Sequence, residues 1–397
     1  MLENKQEFAR RRQILLAAIG PGNMGMILAA SEVFRNADTH YPYRQDSDFY
    51  YLTGLREPEA MALFIPGRAE GEFVLLLRER DPAQEMWTGQ RMGCEGAKTI
   101  YGADQAFSIK QKDEVLANLR AQRVDIRSLI HEQRVIKSPV EIACMRRAAD
   151  ITVLAHRRAM QHCRPGLYEY ELEAELQHEF IRQGARFSAY ESIVGSGANA
   201  CTLHYVNNSA PMRGGDLVLI DAGAEFDYYA ADVTRTFPVN GRFTPDQKAL
   251  YEVVLHTQLT VIASIAPGVL WNDLEALAAL TITKGLVHLG ILHGDAEQLW
   301  VDKAYRLVYM HRIGHWLGLD VQDVGSYKVA EKSRPLLPGM VLTVEPGIYI
   351  PLESLGIDQR WWGMGIRIED DVLVTEIGHD VLTAGLAKTV EDIEGAL

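Results

Sequence analysis

The 397 residues are too many for one ordinary hydrophobic core and suit two domains. With 47% apolar and 23% charged residues, the chain has the composition of a water-soluble globular protein. Acidic residues outnumber basic ones 53 to 40, a net charge of −13, which argues against the basic stripe of a nucleic-acid binder.

Residues 6–19 read as a first helix, with Arg10-Arg11-Arg12 as its solvated face. Its apolar stretch from Ile14 to Ile19 is short and halts at Gly20-Pro21-Gly22, unlike a signal peptide. No apolar run reaches the ~18 residues of a membrane span. Strand-like segments follow at residues 25–29, 60–65 and 72–77, so residues 1–135 are expected to form a small α/β domain. Cys94, Cys144, Cys163 and Cys201 show no C-x-x-C spacing and read as thiols in a reducing, cytoplasmic compartment.

A second domain, residues 136–397, begins sharply at Ser138-Pro139-Val140-Glu141. Ser138 can cap the helix, Pro139 can be its first residue and Glu141 can complete a capping box. This helix is expected to run to about Cys163 and stop before Pro165-Gly166. Thr244-Pro245 starts a second long helix, which stops before Pro267-Gly268. After each Pro-Gly a related triplet recurs at an offset of 102 residues, Leu172-Glu173-Ala174 and then Leu274-Glu275-Ala276. The domain therefore reads as two helix-helix-sheet halves, a duplication, and a site between them would draw residues from both.

The first half contains LVLIDAGAEFDYYAADVTRTFPV, two β-prone runs around a tight turn. If Phe226-Asp227 is that turn, Asp221 stands directly opposite Asp232, with side chains about 5 Å apart. Like charges that close, at the end of the apolar run Leu217 to Ile220, require a proton or cation between them. A divalent metal is the economical reading.

The second half supplies further ligands. His311 and His315 in MHRIGH have the spacing of a zinc-protease helix, but Arg312 replaces its glutamate and Gly314 disfavours a helix. The strand-like LTVEPG ends in Glu345. In GIRIED, period-2 alternation sets Arg367 and Glu369 on one face and the isoleucines on the other, as for a metal carboxylate steadied by an arginine.

With Asp, Asp, His, Glu and Glu in this order, the sequence resembles the aminopeptidase P and prolidase family of pita-bread metallopeptidases. The stretches that carry the likeness are IDAGAEFDYYAADVTRTFPV, HRIGHWLGLDVQDVG, VLTVEPGIYI and GIRIEDDVLVT, with YPYRQDSDFYYLTGL, EMWTGQRMG and KSPVEI further upstream. The likeness spans nearly the whole chain and points to the bacterial Xaa-Pro aminopeptidases within the family. It implies an N-terminal α/β domain, a pita-bread catalytic domain with pseudo-twofold halves, and an α/β (α+β) fold class overall. It also implies that Asp221, Asp232, His315, Glu345 and Glu369 hold two divalent ions, with Asp232 and Glu369 bridging. Four carboxylates and one imidazole make an oxygen-rich site suited to Mn²⁺.

The expected activity is release of the N-terminal residue from peptides with proline in second position, by a hydroxide shared between the ions. By the same resemblance, Glu345 handles the nucleophile's proton and His204 faces the substrate and its tetrahedral intermediate. His311 lines the proline pocket and Arg334 lies on the outgoing side. Asp38 and Trp87 reach a neighbouring subunit's site, which implies a homo-oligomer, a dimer or tetramer. Gln322 departs from the family, which has histidine there to contact the substrate carbonyl or relay a proton. Glutamine can donate a hydrogen bond but cannot titrate near neutral pH. The N-terminal domain is also a few tens of residues short, near Ser108 to Glu114. A prolidase confined to Xaa-Pro dipeptides and a weakly active or inactive binding protein are the alternative readings.

Overall fold

The computed structural model describes residues 2–397, with side chains from residue 5 onward. It divides into two compact units, Met1–Arg134 and Val135–Leu397. In the first unit the helix Leu2–Ile19 precedes a five-stranded sheet. Its strand order is Gln105–Ser108, Phe73–Leu77, Met61–Phe64, Asn23–Leu28 and Gln122–Val124. The three central strands pair antiparallel and both edge strands join in parallel. Phe73–Leu77 and Met61–Phe64 are buried along their whole lengths, as expected for strands covered on both faces. Asp38 lies at the exposed turn of a small hairpin, Phe34–Asn36 with Thr39–His40. Trp87 is 84% exposed on the helix Pro82–Thr88.

The second unit is built from two related halves. The helix Pro139–His162 carries the capping box of Ser138 and Glu141, and Pro245–Ala263 carries the same device in Thr244 and Gln247. Each long helix is followed by a Pro-Gly turn and a second helix, Glu169–Arg182 in one half and Trp271–His288 in the other. Their first residues keep the offset of 102. The turns bond alike: Gly166 N–H donates to Met212 and Gly268 N–H to Leu336, while Met212 and Leu336 N–H return to Leu167 and Val269. The duplication therefore extends to individual backbone bonds.

Each half ends in antiparallel strands. Leu217–Asp221 lies between Ile193–Ser196 and Thr234–Pro238 in the first half. Asp370–Val374 lies between Val341–Val344 and His379–Val381 in the second, beside the pair Gly347–Ile350 and Met364–Arg367. The apolar core joins Val218, Ile220 and Phe237 of the first half to Ile348, Ile366 and Ile368 of the second. Beneath it, Arg235 and Asp370 form a fully buried ion pair at 2.8 Å, with Gln258, Thr383 and Lys388 also bonding the Asp370 carboxylate.

Two sequence expectations are corrected here: Arg11 and Arg12 are not on a solvated face but buried, donating to the Tyr51 and Leu52 carbonyls, and the hairpin turn lies elsewhere. The tight turn is Asp227-Tyr228, both at positive φ (48° and 73°), and not Phe226-Asp227. Phe226 pairs with Tyr229, and Asp221 pairs with Thr234. Bonds from Ala222 N–H to Val233 and from Ala231 N–H to Ala224 carry this register between the two ladders, which sets Asp232 across from Gly223. Asp221 and Asp232 are thus diagonal neighbours on one face rather than directly opposed. Phe226 stays in the strand, packed against the core, so the turn moves on by one residue and the register by two, a shift that leaves every side chain on its own face. Gly223 is required at the crossing, since a Cβ there would lie 1.7 Å from the Ala231 carbonyl oxygen.

Lys137 and Asp323 form a second buried ion pair, at 3.0 Å with each side chain 1% exposed. It ties the start of this unit to the loop that carries Gln322. Removing one partner strands a buried charge, so Asp323→Ala is expected to lower unfolding free energy by about 3–5 kcal/mol. Joint replacement by Lys137→Met and Asp323→Leu should recover most of that loss in denaturant melts. Equal losses in both variants would contradict this account.

Candidate metal centre

Alternation along the strand after the turn places Asp232, Thr234 and Thr236 on one face, with Val233, Arg235 and Phe237 on the other. The second half supplies the remaining groups. Glu345 follows the strand Val341–Val344, and Glu369 lies between Met364–Arg367 and Asp370–Val374. His315 sits in irregular backbone laid along Val341–Val344, where Thr343 N–H donates to its carbonyl at 2.9 Å and its own N–H reaches the Thr343 hydroxyl at 3.1 Å. Gly314 permits that approach, for a Cβ there would lie 2.0 Å from the Thr343 carbonyl oxygen.

Ligand atoms of Asp232, His315 and Glu369 all lie within 4.8 Å of one another. His315 Nε2 is 3.3 Å from Asp232 and 3.6 Å from Glu345. Its Nδ1 bonds the Trp316 carbonyl at 3.0 Å, which turns Nε2 toward the carboxylates. Asp221 joins through two partners: the Arg367 guanidinium at 2.6 Å and the Tyr190 hydroxyl at 2.5 Å, which is also 2.5 Å from Asp232. Thr234 donates its hydroxyl to Glu369 at 2.6 Å, and Arg367 also bonds the hydroxyls of Thr234 and Tyr349.

This crowding governs protonation. Burial, then the Asp232 and Glu345 charges, pushes Glu369 well above the usual carboxylate range. Burial pushes Glu345 up to about 7. Burial, with Asp221 beside it, also raises Asp232. Burial opposes charge on His315, but Asp232 and Glu345 outweigh it and hold the imidazole up at about 9. Burial and Arg367 push His311 down to about 4. Hard carboxylate oxygens with one imidazole fit a divalent metal of the Mn²⁺ or Zn²⁺ class.

A cavity of about 460 Å³ opens over the cluster. Its wall holds Asp221, His315, Glu345 and Arg367, together with His204, His311 and Gln322. His311 is fixed by the Tyr349 hydroxyl at 2.8 Å and the Arg312 carbonyl at 2.7 Å. Arg334 is not in this wall; it is buried, and its guanidinium donates to the Ser326 carbonyl at 2.8 Å. Asp38 and Trp87 belong to the first unit and are exposed there.

Sequence reasoning missed Tyr190, Thr234, Thr343 and Tyr349. The Asp232-Thr234-Thr236 alternation could have identified Thr234. Tyr190 gives no such signal, because it precedes its strand in an irregular segment.

The profile of metallopeptidase family M24 matches residues 143–376, and that of the aminopeptidase P N-terminal domain matches residues 8–126. The Xaa-Pro aminopeptidase of Escherichia coli is 44% identical over 433 aligned positions, covering 99% of this chain and 98% of that protein. That alignment is several tens of positions longer than the 397-residue chain, so the relative has residues without a counterpart here. Human Xaa-Pro aminopeptidase 3 is 33% identical over 98% of this chain and 85% of its own. Among solved structures, Pseudomonas aeruginosa aminopeptidase PepP superposes with a TM-score of 0.97 at 48% identity, covering 99% of this chain and 97% of that one. Zinc-substituted E. coli aminopeptidase P in complex with product gives 0.94 at 44%, covering 99% and 98%.

Two outcomes follow from the cluster. Tyr190→Phe should weaken divalent-metal binding by about 10- to 100-fold in calorimetric titration; unchanged affinity would mean the hydroxyl does not order the carboxylates. For the metal-free protein, both Glu345 (ordinarily 4.5, raised to about 7) and His315 (6.5, raised to about 9) bind protons more tightly when folded. Their stabilisation is complete below the unfolded values and lost as pH rises through the folded ones, so melting temperature in chelator should fall from about pH 4.5 to about pH 9. Added Mn²⁺ should flatten that slope, because the cation replaces the protons.

Proposed function

Because this chain belongs to metallopeptidase family M24 and carries an aminopeptidase P N-terminal domain ahead of a pita-bread catalytic domain, we infer that it is a metal-dependent Xaa-Pro aminopeptidase. It removes the N-terminal residue from peptides whose second residue is proline. The observation that carries this reading is the convergence of Asp232, His315 and Glu369 within 4.8 Å beneath a cavity walled by His204, His311 and Glu345. Neither alternative is favoured: the full candidate ligand set argues against an inactive binding protein, and the full-length likeness to aminopeptidases argues against a dipeptide-only prolidase.

We propose that Asp221, Asp232, His315, Glu345 and Glu369 hold two divalent ions, with Mn²⁺ as the native metal. When bound, such ions polarise a carbonyl and supply a water of lowered pKa. The protein's own groups do the rest. Glu345, in the wall of the cavity beside the other carboxylates, is the group proposed to take the nucleophile's proton and return it to the leaving nitrogen. His204, in the wall of the same cavity, is proposed to hydrogen-bond the substrate carbonyl. Arg367 orients Asp221 at 2.6 Å and keeps its charge toward the cluster.

A proline imide has no N–H to recognise, so its ring must be held by shape. His311 is suited to that: kept neutral by burial and Arg367, and clamped by Tyr349, it offers a flat uncharged wall. Gln322 can hydrogen-bond the substrate but contributes no ionisation to the pH profile. Asp38 and Trp87 are proposed to complete the site of a neighbouring subunit in a cytoplasmic homo-oligomer.

The decisive assay is mass spectrometry of products from Xaa-Pro-Xaa tripeptide and Xaa-Pro dipeptide incubated together with Mn²⁺-loaded protein. The tripeptide should lose its first residue; cleavage of the dipeptide alone would reassign the protein as a prolidase. Glu345→Gln should lower kcat by at least about 100-fold, as expected for loss of the proton-transfer group. Gln322→His should raise kcat and add an ionisation to its pH profile; an unchanged profile would show that the glutamine performs the full role.

A further inference from the structure

His204 stands in a stretch that contains neither helix nor strand, between the short helix Gly197–Cys201 and the strand Leu217–Asp221. Its side chain is exposed, in the wall of the cavity over the candidate metal ligands. Loops are the more mobile parts of a fold, whereas a reacting geometry tolerates a misplacement of only about 0.5 Å. The loop therefore needs a support outside itself.

Glu169, the first residue of the helix Glu169–Arg182, is completely buried and provides it. Its Oε1 accepts the Ser196 N–H at 2.7 Å, the Ser196 hydroxyl at 2.8 Å and the Asn199 side-chain amide at 3.0 Å. Its Oε2 accepts the Tyr205 hydroxyl and the Ala210 N–H, both at 2.9 Å. These donors precede and follow His204 in the chain, and Tyr205 is its immediate neighbour. A buried carboxylate is costly unless fully bonded, and here every bond goes to the backbone and side chains that flank His204. One helical turn on, Glu173 accepts from the Asn208 side chain at 2.8 Å, and the Asn208 oxygen accepts the Val194 N–H at 2.9 Å. From the other side Leu203 packs on the cluster of Ala200, Leu219 and Tyr349, and the Tyr349 hydroxyl bonds His311 and Arg367.

The second half repeats the device. Glu275, at the offset of 102 from Glu173, accepts the Ile313 N–H at 3.2 Å, midway between His311 and His315. The position matching Glu169 is Trp271, which packs on Trp316 beside His315 with ring centres 4.7 Å apart. In each half, the first turn of the second helix holds the loop that brings histidines to the cavity. We propose that Glu169 is a positioning residue for the reaction: its carboxylate never touches substrate but sets the turn that carries His204, and so fixes the imidazole over the cavity. This rests on the aminopeptidase reading and on His204 facing the substrate carbonyl.

Glu169→Gln keeps the shape and one acceptor oxygen but turns an amide NH₂ toward donors of the loop. On Ala-Pro-Ala it should lower kcat about 10- to 100-fold, with KM and calorimetric Mn²⁺ affinity each within about twofold of wild type. In a His204→Ala background the same substitution should lower kcat by less than about twofold, because the group it positions is gone. An equal loss in both backgrounds, or full kcat in Glu169→Gln, overturns the proposal. Tyr205→Phe removes one hydroxyl and no packing; it should show a smaller loss with the same dependence on His204, and it decides the matter if Glu169→Gln fails to fold. A readout without turnover separates the two possible failures. In histidine-labelled, Zn²⁺-loaded protein, the ring resonance missing from His204→Ala should shift in Glu169→Gln and in Tyr205→Phe, and a resonance unmoved in both overturns the proposal. If wild-type protein leaves Ala-Pro-Ala intact, the aminopeptidase reading falls, while this resonance still reports whether Glu169 sets His204.

Discussion

Repulsion among buried carboxylates is the constraint around which the second unit is arranged. Asp221, Asp232, Glu345 and Glu369 converge where little water can separate them, and each needs a partner of opposite character. Arg367 supplies one fixed positive charge to Asp221, His315 a second to Asp232 and Glu345, and the hydroxyls of Tyr190 and Thr234 supply donors where a full charge would not fit. The raised proton affinity of Glu345, Glu369 and Asp232 measures what these partners leave uncompensated. A divalent cation answers that deficit better than protons do, because one ion serves several carboxylates at once.

The strands can hold such a cluster because the opposite face is equally constrained. Arg235 alternates with Thr234 and points away from the site into its buried pair with Asp370, where its guanidinium also bonds the Glu369 and Thr234 carbonyls. The residues that bear site side chains are thus fixed from behind by a second, fully paired charge network. Replacing either half of that pair would loosen backbone directly beneath the site.

Much of this was legible in the sequence, and the failures are instructive. Helix starts were readable because Ser138-Pro139 and Thr244-Pro245 carry their capping chemistry locally, and the duplication was readable because its halves kept their spacing. The aspartate pair was found for a partly wrong reason. A two-residue turn at Phe226-Asp227 is plausible from propensity, but Phe226 is needed by the core, so the turn moves to Asp227-Tyr228 and the pair becomes diagonal. The residues stayed on one face because any turn that preserves the buried alternation keeps them there. Tyr190 and Tyr349 could not be found from pattern, since their roles depend on tertiary proximity to residues 31 and 18 positions away.

The duplicated architecture has a consequence for how this protein can change over time. A repeated unit ordinarily supplies a spare, so that one copy may drift while the other keeps the function. Here Asp221 and Asp232 come from one half, while His315, Glu345 and Glu369 come from the other, so neither copy is redundant. Drift is free at the exposed positions of the helices in either half but must be matched across the seam, and a compensating substitution is to be sought about a hundred positions away rather than next door.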